Sequence, residues 1–505
     1  MTDATQDEEP MRRFLRRMGW ATLVPVGMMI VAMALKPMWR DEFWSLYFSE
    51  PRFGLIELIN GRMHWETHPP LYFIFLTVWR DIMDNAVWIR MLALPFLAVG
   101  VIGAYLLGRG RRELALFLML CAGSYWVIYF ATEARPYTLL FVVSAWSTLV
   151  IVKLMDREAS PLWFALWAVT GALVGMTHFF GALWVGCTGL AAGIGFITQR
   201  RYGAFIAIGI ASIIAILPLA YWLYVSMPML GERGGNAAPP PDEWQRFMTQ
   251  LMRGLTVKLL GSNLAITCAA FAGLGVLLRK RGAVDLVLLG GAFLFVLFSA
   301  GLDIFWSPMI KERAFLPMIP ALIFVMTRAV LSLDPARPWA KRFLTAAPIV
   351  AVISPFLFIP EYFKDREKLL ELHAYLRTEA GECAGSPVVA YMRERWGENT
   401  FMREVIDREM RLALPGREPR VYAPEEVSGT LTPNPGCRLR AVALLMLPGE
   451  DDNRPQGRAE AREALRRAGI DPDGLEEVRF GKGRNVLWVV PDTASAPDAA
   501  STATP

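Results

Sequence analysis

Apolar residues gather into long runs between Trp20 and Pro360, and short loops rich in Lys and Arg separate these runs. A helix needs about 20 consecutive apolar residues to cross the roughly 30 Å hydrocarbon core of a bilayer. The pattern therefore predicts an all-α, polytopic membrane domain over residues 1–360, with about 11 spans. The spans are predicted at 20–36, 87–107, 113–131, 136–154, 161–178, 180–198, 203–224, 255–278, 283–301, 314–331 and 342–360.

Two stretches between these runs do not fit a span. Leu71–Trp79 is apolar but too short to cross, so residues 40–86 are predicted to form one outer segment with amphipathic, re-entrant or interfacial helices. The loop 225–254 contains two adjacent glycines and three adjacent prolines, which no regular element tolerates. This composition is typical of a passive surface loop or of a mobile lid.

Basic clusters between the spans indicate the orientation of the chain. The positive-inside rule places such clusters in the cytoplasm, and the order of the predicted spans is consistent with that placement for all of them. The N-terminus is then cytoplasmic and the C-terminal part extracytoplasmic, in a multi-pass plasma (inner) membrane protein. The clusters are Arg12–Arg17, Arg109–Arg112, Lys153–Arg157, Arg200–Arg201, Arg279–Arg281 and Arg337–Arg342.

From Glu361 onward charges are dense, and helical and strand patterns alternate. This predicts a small extracytoplasmic α/β domain over residues 361–491, followed by a disordered Ser/Ala/Pro tail at 492–505. The predicted helices are 362–380, 399–413 and 457–469, and the predicted strands are Pro387–Met392, Arg438–Met446 and Asn485–Val490.

Composition narrows the class of protein further. The chain of 505 residues is 54% apolar and 20% charged, which together with the runs excludes a soluble enzyme, a fibrous protein and a disordered chain. A net charge of +5 does not suggest a nucleic-acid partner. The five cysteines form no CxxC pair, so a structural zinc site is not expected. Cys383 and Cys437 would be able to pair only in an oxidising compartment, and both states stay open.

Ionisable residues near the membrane that are not cytoplasmic anchors indicate where function lies. Each costs roughly 2.5–3.5 kcal/mol at mid-bilayer, so such residues usually have a task. All of them fall on the outer side in the predicted topology, and together they predict one outward-facing, water-reachable cavity. They are Asp41, Glu42, His64, Glu66, His68, Glu133, Arg135, His178, Asp303, Lys311 and Arg313.

Several of these residues also have a structural interpretation. Asp41 and Glu42 follow the first span and suit either a catalytic pair or a solvated helix end. His68 precedes two prolines that hold it at a helix start, which suits either a site or a simple interfacial turn. The order His-x-Glu-x-His differs from the metalloprotease order H-E-x-x-H, so no metal ligands are assigned and a divalent cation is possible without being required.

A second group of residues is suited to an anion. Pro136 suits the first position of a helix, whose free N–H groups then lie beside Arg135 and form an anion site. Glu133 would orient Arg135 or the substrate, unless the two form an ordinary interfacial ion pair. Lys311 and Arg313 are basic residues on the predicted outer side, which an anionic partner would explain, although loop composition alone is the other explanation.

The acidic pair after the first span, the segment His-Pro-Pro-Leu-Tyr and the segment Glu-Ala-Arg-Pro-Tyr together resemble the GT-C glycosyltransferases. The combination is similar to the branch of protein O-mannosyltransferases, the lipid A aminoarabinose transferase and rhizobial lipopolysaccharide sugar transferases. The likeness covers roughly residues 20–330. In the mannosyl and aminoarabinosyl branches an acidic residue follows a few positions into the later helix, whereas Tyr137–Leu140 holds none.

The resemblance implies an inverting transfer of a sugar from a polyprenyl-phosphate donor to an acceptor hydroxyl on the outer face of the membrane. The acceptor would be lipid A or lipopolysaccharide, another glycan, or a protein. The family's first-loop acidic residue matches Asp41, which would be the general base, with Glu42 as its catalytic neighbour. The substrate-binding residues would be His68, Glu133, Arg135, Tyr137, Lys311 and Arg313, with the three cations on the phosphate.

A transporter or flippase for a lipid-linked or anionic substrate is the main alternative. Such a path requires ionisable residues at mid-span or on both faces, whereas the middles of the predicted spans hold almost none. A sensor would need a cytoplasmic output domain, and the predicted cytoplasmic loops are all short. The sequence therefore favours a one-sided catalytic pocket.

Overall fold

The computed structural model is mostly helical and divides into two units, residues 1–36 with 48–363, and residues 37–47 with 364–505. The later boundary between the two units lies between residues 363 and 364, whereas the predicted domain boundary lies between 360 and 361. The residues described are 4–66, 68–156, 160–233, 243–255, 259, 263–279, 282–305, 310–364, 369–380, 387–391, 410–411, 420–422, 442–446, 459, 462–463, 465–467, 469, 471–480 and 485–489.

Nineteen helices are described over their whole length, together with short 3-10 helices at Arg62–Trp65, Glu312–Met318, Ser354–Phe358 and Pro472–Gly474. In chain order they are α1 (Ala4–Leu35), α2 (Arg40–Phe48), α3 (Leu55–Asn60), α4 (Leu71–Arg80), α5 (Ala86–Met91), α6 (Ala93–Gly108), α7 (Leu114–Ala122), α8 (Tyr125–Ala131), α9 (Tyr137–Met155), α10 (Pro161–Gly175), α11 (Phe179–Thr198), α12 (Tyr202–Arg233), α13 (Glu243–Leu255), α14 (Leu264–Arg279), α15 (Ala283–Phe305), α16 (Ile319–Leu331), α17 (Pro338–Ile353), α18 (Ile359–Tyr362) and α19 (Leu369–Ala380).

The first unit is a multi-pass membrane domain. Eight of its described helices, counting joined segments together, are long and apolar enough to cross a bilayer, or nine if α7 and α8 form one span with a 51° bend. Two other predicted spans, 161–178 and 255–278, correspond to the shorter apolar helices α10 and α14, of 15 and 16 residues. The described part of each predicted run is therefore mostly helical, whereas the length criterion gives eight or nine spans rather than eleven.

Helix α9 is the central helix of this unit. Nearly all of its side chains are buried, while α12 exposes most of one side. A helix that is apolar on every face is surrounded either by protein or by lipid, and protein surrounds α9, which packs against α6, α10 and α16. Its first residue, Tyr137, is fully buried, so the beginning of α9 lies inside the protein.

Glycine allows two of these helices to approach closely. A Cβ atom at Gly273 of α14 would lie only 2.0 Å from the carbonyl oxygen of Ala329 on α16. Small residues permit such contacts between membrane helices, whose association depends on van der Waals packing rather than on the hydrophobic effect. Any larger side chain at this position would force the two helices apart.

The segment after α2 forms short helices, as predicted for 40–86. It contains α3, the 3-10 helix Arg62–Trp65 and α4. Trp79 and Trp88 stack with centroids 4.3 Å apart, and each indole N–H donates to the backbone oxygen of the other residue. Arg80 donates to both carboxylate oxygens of Asp84 at 2.8 Å and to the Ser49 carbonyl at 2.7 Å. These contacts hold the segment against α5.

The second unit contains a five-stranded mixed sheet in the order β2-β1-β3-β5-β4. The strands are β1 (Pro387–Tyr391), β2 (Arg420–Tyr422), β3 (Val442–Met446), β4 (Glu476–Phe480) and β5 (Asn485–Val489). β1 pairs in parallel with β2 and β3, and the remaining pairs are antiparallel.

Strands β1, β3 and β5 lie where the sequence predicted strands, whereas β2 and β4 were not predicted. β2 has only three residues, and β4 contains Glu476, Glu477 and Arg479, which weaken its apolar pattern. Helix α19 falls within the predicted helix 362–380. The predicted helix 399–413 lies mostly outside the described residues, and Cys383, Cys437 and the tail 492–505 lie outside them entirely. Seven residues of the predicted helix 457–469 are described, and six of these, at 459, 462, 463, 465, 466 and 467, are helical.

Candidate functional site

A buried ion pair joins the end of the first span to the loop between α8 and α9. Lys36 Nζ lies 2.7 Å from Glu133 Oε1 and 3.3 Å from Thr132 Oγ1, and it sits 4.3 Å from the centroid of the Tyr129 ring. The two charged side chains are 1% and 0% exposed. Glu133 therefore contacts Lys36, a residue that the sequence analysis treated only as the last residue of a span.

Arg135 belongs to a second buried cluster with Glu66 and His68. His68 Nδ1 lies 2.5 Å from Glu66 Oε1, and Arg135 Nη2 lies 3.8 Å from that oxygen and 3.4 Å from His68 Nδ1. Pro69 and Pro70 end the preceding segment so that α4 begins at Leu71, whose N–H donates to the Met176 carbonyl at 3.3 Å. The prolines thus fix His68 beside the end of α10.

Tyr137, His178 and Arg313 complete this cluster. The His68 ring centroid lies 4.8 Å from that of His178 and 6.0 Å from that of Tyr137. The Arg313 guanidinium carbon lies 5.5 Å from the Tyr137 centroid. Four segments that are distant in the sequence therefore meet at one place. We call the set Glu66, His68, Arg135, Tyr137, His178 and Arg313 the polar cluster.

Burial keeps both histidines of the polar cluster neutral. Desolvation lowers the pKa of His68, an effect that Glu66 opposes and that Arg135 and Arg313 reinforce. Desolvation also lowers the pKa of His178 well below its usual value, with smaller contributions from His68, Arg313 and Arg135. The arginines, rather than the imidazoles, therefore carry the positive charge of the cluster near pH 7.

The N-terminus of α9 lies in the polar cluster. Leu140 makes the first backbone hydrogen bond of this helix, to the Pro136 carbonyl at 2.9 Å. The first N–H groups of a helix have no intrahelical acceptor and carry a partial positive charge of about half a unit. The Thr138 hydroxyl in this first turn is buried without a hydrogen-bond partner among the described residues. The beginning of α9 is thus suited to an anion.

Helix α13 holds the 3-10 helix that carries Arg313. Arg246 Nη2 lies 2.5 Å from Asp303 Oδ2 and its Nη1 donates to the Ile310 carbonyl at 3.2 Å. Gln250 Oε1 accepts the Glu312 N–H at 3.0 Å. Asp303, a candidate site residue from the sequence, therefore has a structural partner in Arg246. Lys311 is exposed, while Arg313 is half-buried.

Asp41 and Glu42 lie in the second unit, in the first turn of α2. Glu42 is fully buried, and its Oε2 accepts the Trp39 N–H at 3.2 Å. Asp41 is half-buried, and its carbonyl accepts the Ser45 hydroxyl at 3.2 Å. The interpretation as a solvated helix end is therefore wrong for Glu42, whose carboxylate is buried at the start of the helix.

Two further features lie apart from the polar cluster. His64 packs edge-on against Trp222, with centroids 5.0 Å apart, and the described residues contain no group of three or more His, Cys, Asp or Glu placed to hold a metal. A groove of about 620 Å³ lies between α10 and α12, lined by Pro161, Ala168, Arg201 and other residues near the start of each helix. The polar cluster lies at the start of α9 and beside the end of α10, so the length of α10 separates it from this groove.

No family model and no curated protein matches this chain. ArnT from Cupriavidus metallidurans bound to undecaprenyl phosphate aligns with a TM-score of 0.55 and 14% identity, over 95% of this chain and 99% of that chain. The chain has the fold of ArnT. In its apo state ArnT aligns at a TM-score of 0.54 and 13% identity, over 94% of this chain and 98% of that chain. ArnT is a lipid A aminoarabinose transferase with the GT-C fold, so the resemblance seen in the sequence motifs is confirmed for the fold.

A second solved protein aligns more weakly than ArnT. The archaeal oligosaccharyltransferase AglB from Archaeoglobus fulgidus, in complex with an inhibitory peptide and a dolichol-phosphate, gives a TM-score of 0.45 and 9% identity. The alignment covers 96% of this chain and 75% of that chain.

Lys36 and Arg246 belong to this region but were not predicted from the sequence as parts of it. In the predicted topology Lys36 is a cation at the outer end of a span, which is the same signal that singled out Lys311 and Arg313. Applied to every span, that signal would have found Lys36. Arg246 lies in a segment without a predicted element, so its pairing with Asp303 was not accessible from the pattern.

Proposed function

We propose that this protein is an inverting glycosyltransferase that moves a sugar from a polyprenyl-phosphate donor to an acceptor hydroxyl. The observation that carries the proposal is the polar cluster, in which two arginines and two neutral histidines surround the N-terminus of α9 within an ArnT-like fold. The solved ArnT with undecaprenyl phosphate supports a lipid-phosphate donor. Lipid A or lipopolysaccharide, another glycan or a protein would supply the hydroxyl.

In this proposal the donor phosphate binds at the start of α9. Arg135 and Arg313 neutralise its charge, and the free N–H groups of the first turn of α9 donate hydrogen bonds to its oxygens. Lys311 is exposed at the edge of the same 3-10 helix and attracts the anion as it approaches. Tyr137 and His68 line the site beside the sugar, and Glu133 keeps its loop in place through Lys36.

The transfer itself needs one base and good stabilisation of the departing phosphate. Asp41 accepts the proton of the acceptor hydroxyl. The oxygen of that hydroxyl attacks the anomeric carbon of the donor sugar from the face opposite the phosphate. The bond between the anomeric carbon and the phosphate oxygen breaks, and the phosphate leaves with the electron pair. A single displacement of this kind inverts the anomeric configuration. Glu42, buried next to Asp41 in α2, fixes the start of that helix.

Replacing Arg135 by alanine is expected to weaken donor binding by roughly 10- to 100-fold, because a hydrogen bond to a charged group contributes about 1.5–3 kcal/mol. Titration of the purified protein with undecaprenyl phosphate measures this effect. Arg109→Ala removes an exposed arginine at the end of α6 and serves as the matched control. Equal affinity of the Arg135 variant and the control would remove Arg135 from the phosphate site.

The proposal also includes an orientation, with a cytoplasmic N-terminus and the polar cluster on the outer face of the inner membrane. A single cysteine at exposed Thr249, in a chain whose five natural cysteines are replaced by alanine, is expected to react with a membrane-impermeant maleimide from outside. Cysteine at Arg109 is expected to react only after the membrane is opened. The reverse pattern would overturn the proposed orientation.

The function itself is tested with purified protein, a panel of polyprenyl-phosphate sugars and membrane extract. Mass spectrometry follows release of polyprenyl phosphate together with gain of a sugar by an acceptor. We expect release that depends on the acceptor, which identifies both substrates. Flux of a lipid-linked sugar into sealed vesicles without any transfer would instead identify a flippase.

A further inference from the structure

Glu66 contacts two groups of the polar cluster with one oxygen atom. Its Oε1 lies 2.5 Å from His68 Nδ1 and 3.8 Å from Arg135 Nη2, and all three side chains are buried. Arg135 Nη2, which only donates, lies 3.4 Å from the same Nδ1, but the contact with Glu66 is much shorter. An ionised carboxylate only accepts hydrogen bonds, so this shorter contact favours a proton on His68 Nδ1. In a neutral imidazole the other ring nitrogen, Nε2, then carries the lone pair.

His178 has the opposite arrangement. Its Nδ1 accepts the Phe180 N–H at 3.1 Å, which makes it the cap of α11. A ring nitrogen that accepts carries no proton, so neutral His178 is protonated on Nε2. The two rings lie 4.8 Å apart at 77° and hold their protons on different nitrogens. Each tautomer is fixed by a contact that the fold supplies.

The charges that face His68 come from several elements. Glu66 precedes it in the same segment, Arg135 lies before α9, and Arg313 lies in the 3-10 helix Glu312–Met318, while His178 faces it from the start of α11. Of these groups Glu66 is the carboxylate that favours a proton on His68, and the two arginines oppose it. Glu66 therefore contacts both His68 and Arg135, the two residues that lie beside the proposed phosphate site.

We infer that Glu66 is the positioning residue of the polar cluster, which holds His68 in the Nδ1–H tautomer and keeps the Arg135 guanidinium beside it. Without this carboxylate, the proton of His68 is no longer held at Nδ1, and Arg135 loses the negative charge that lies 3.8 Å from its Nη2. The consequence for donor binding rests on the proposed function, whereas the tautomer of His68 does not.

The chain has four histidines, so full-length protein with ¹⁵N-labelled histidine in lipid nanodiscs gives few ring signals, which single His→Gln variants assign. We expect His68 protonated on Nδ1 and His178 on Nε2 at neutral pH. Glu66→Leu removes the acceptor and is expected to abolish the preference at His68. Glu66→Gln keeps an acceptor oxygen and is expected to retain it. Glu57→Gln, at an exposed position of α3, is the control.

A titration of the same signals separates charge from hydrogen bonding. Glu66→Gln removes the negative charge that raises the pKa of His68, so its pKa is expected to fall further below the wild-type value. An unchanged pKa of His68 in Glu66→Gln would show that the carboxylate charge does not act on the ring. A wild-type His68 protonated on Nε2, or a tautomer ratio unchanged in Glu66→Leu, would overturn the inference.

Undecaprenyl phosphate binding tests the consequence for Arg135. Glu66→Gln is expected to raise the dissociation constant about tenfold, the size of one charge-assisted hydrogen bond, and Glu57→Gln to leave it unchanged. Equal affinity of the two variants would refute the positioning of Arg135. Wild-type protein with the expected tautomers but no affinity for the lipid would instead refute the proposed function and leave the role of Glu66 for His68 standing.

Discussion

Asp41→Asn is expected to lower turnover by about 10²- to 10⁴-fold, the contribution of a general base to a transfer step. Asparagine has nearly the same shape as aspartate but does not take up a proton from the acceptor hydroxyl. Donor affinity is expected to stay within about threefold, because the proposed phosphate ligands are other residues and the change is less than about 1 kcal/mol. Turnover is measured as release of polyprenyl phosphate in the presence of acceptor.

Asp81→Asn makes the same chemical change at an exposed position just after α4 and is the matched control for Asp41→Asn. We expect wild-type turnover in that variant. Glu42→Gln tests whether Glu42 is the base, because glutamine keeps the oxygen that accepts the Trp39 N–H at the start of α2 but is not a base. If Asp41→Asn kept full turnover while Glu42→Gln lost it in a folded protein, the base would be Glu42 and the assignment of Asp41 would be wrong.

Lys36→Met is expected to lower the free energy of unfolding by about 3–5 kcal/mol, since it removes the cation that lies 2.7 Å from the buried Glu133 carboxylate. A buried charge that loses its partner costs far more than the net contribution of an intact pair. The effect is measured as a loss of unfolding free energy in denaturant titrations in detergent micelles. Lys341→Met, which removes an exposed lysine of α17, is expected to change it by less than about 0.5 kcal/mol.

The double variant Lys36→Met with Glu133→Leu is expected to regain most of that stability, because two apolar side chains often replace a buried ion pair without loss. Turnover of the double variant then distinguishes two roles for Glu133. Wild-type turnover indicates that the pair only holds the loop before Arg135. Lost turnover in a stable protein indicates a direct contact with the substrate. A double variant as unstable as Lys36→Met alone would contradict the ion-pair argument.

The apolar runs predicted the helices of the membrane unit well, because the thickness of a bilayer imposes one length on every span. The break within the run 113–131 was not predicted. α7 ends at Ala122, and the Ser124 hydroxyl accepts the Val127 N–H at 3.3 Å and caps α8, so one continuous apolar run forms two helices. A Gly-Ser pair in an apolar run was the only local signal.

The site was predictable only in part. His68, Arg135 and Arg313 meet in the structure, as expected for polar residues that the predicted topology puts on one side. The ion pairs of this region were not predictable. Glu133 pairs with a lysine 97 residues earlier in the chain, and Asp303 pairs with an arginine in a segment without a predicted element. Such pairings depend on which helices touch, and a hydrophobic pattern does not contain that information.

Lys36 and Glu133 are 97 positions apart in the sequence, which has a consequence for biosynthesis. At a translation rate of about 5–20 residues per second, the 97 residues between them take roughly 5–20 s to make. During that interval the first span has entered the membrane while its lysine lacks the carboxylate that it contacts in the folded protein. The ion pair between Lys36 and Glu133 therefore forms only after residue 133 has been made, and α1 completes its packing later still, because it also packs against α17.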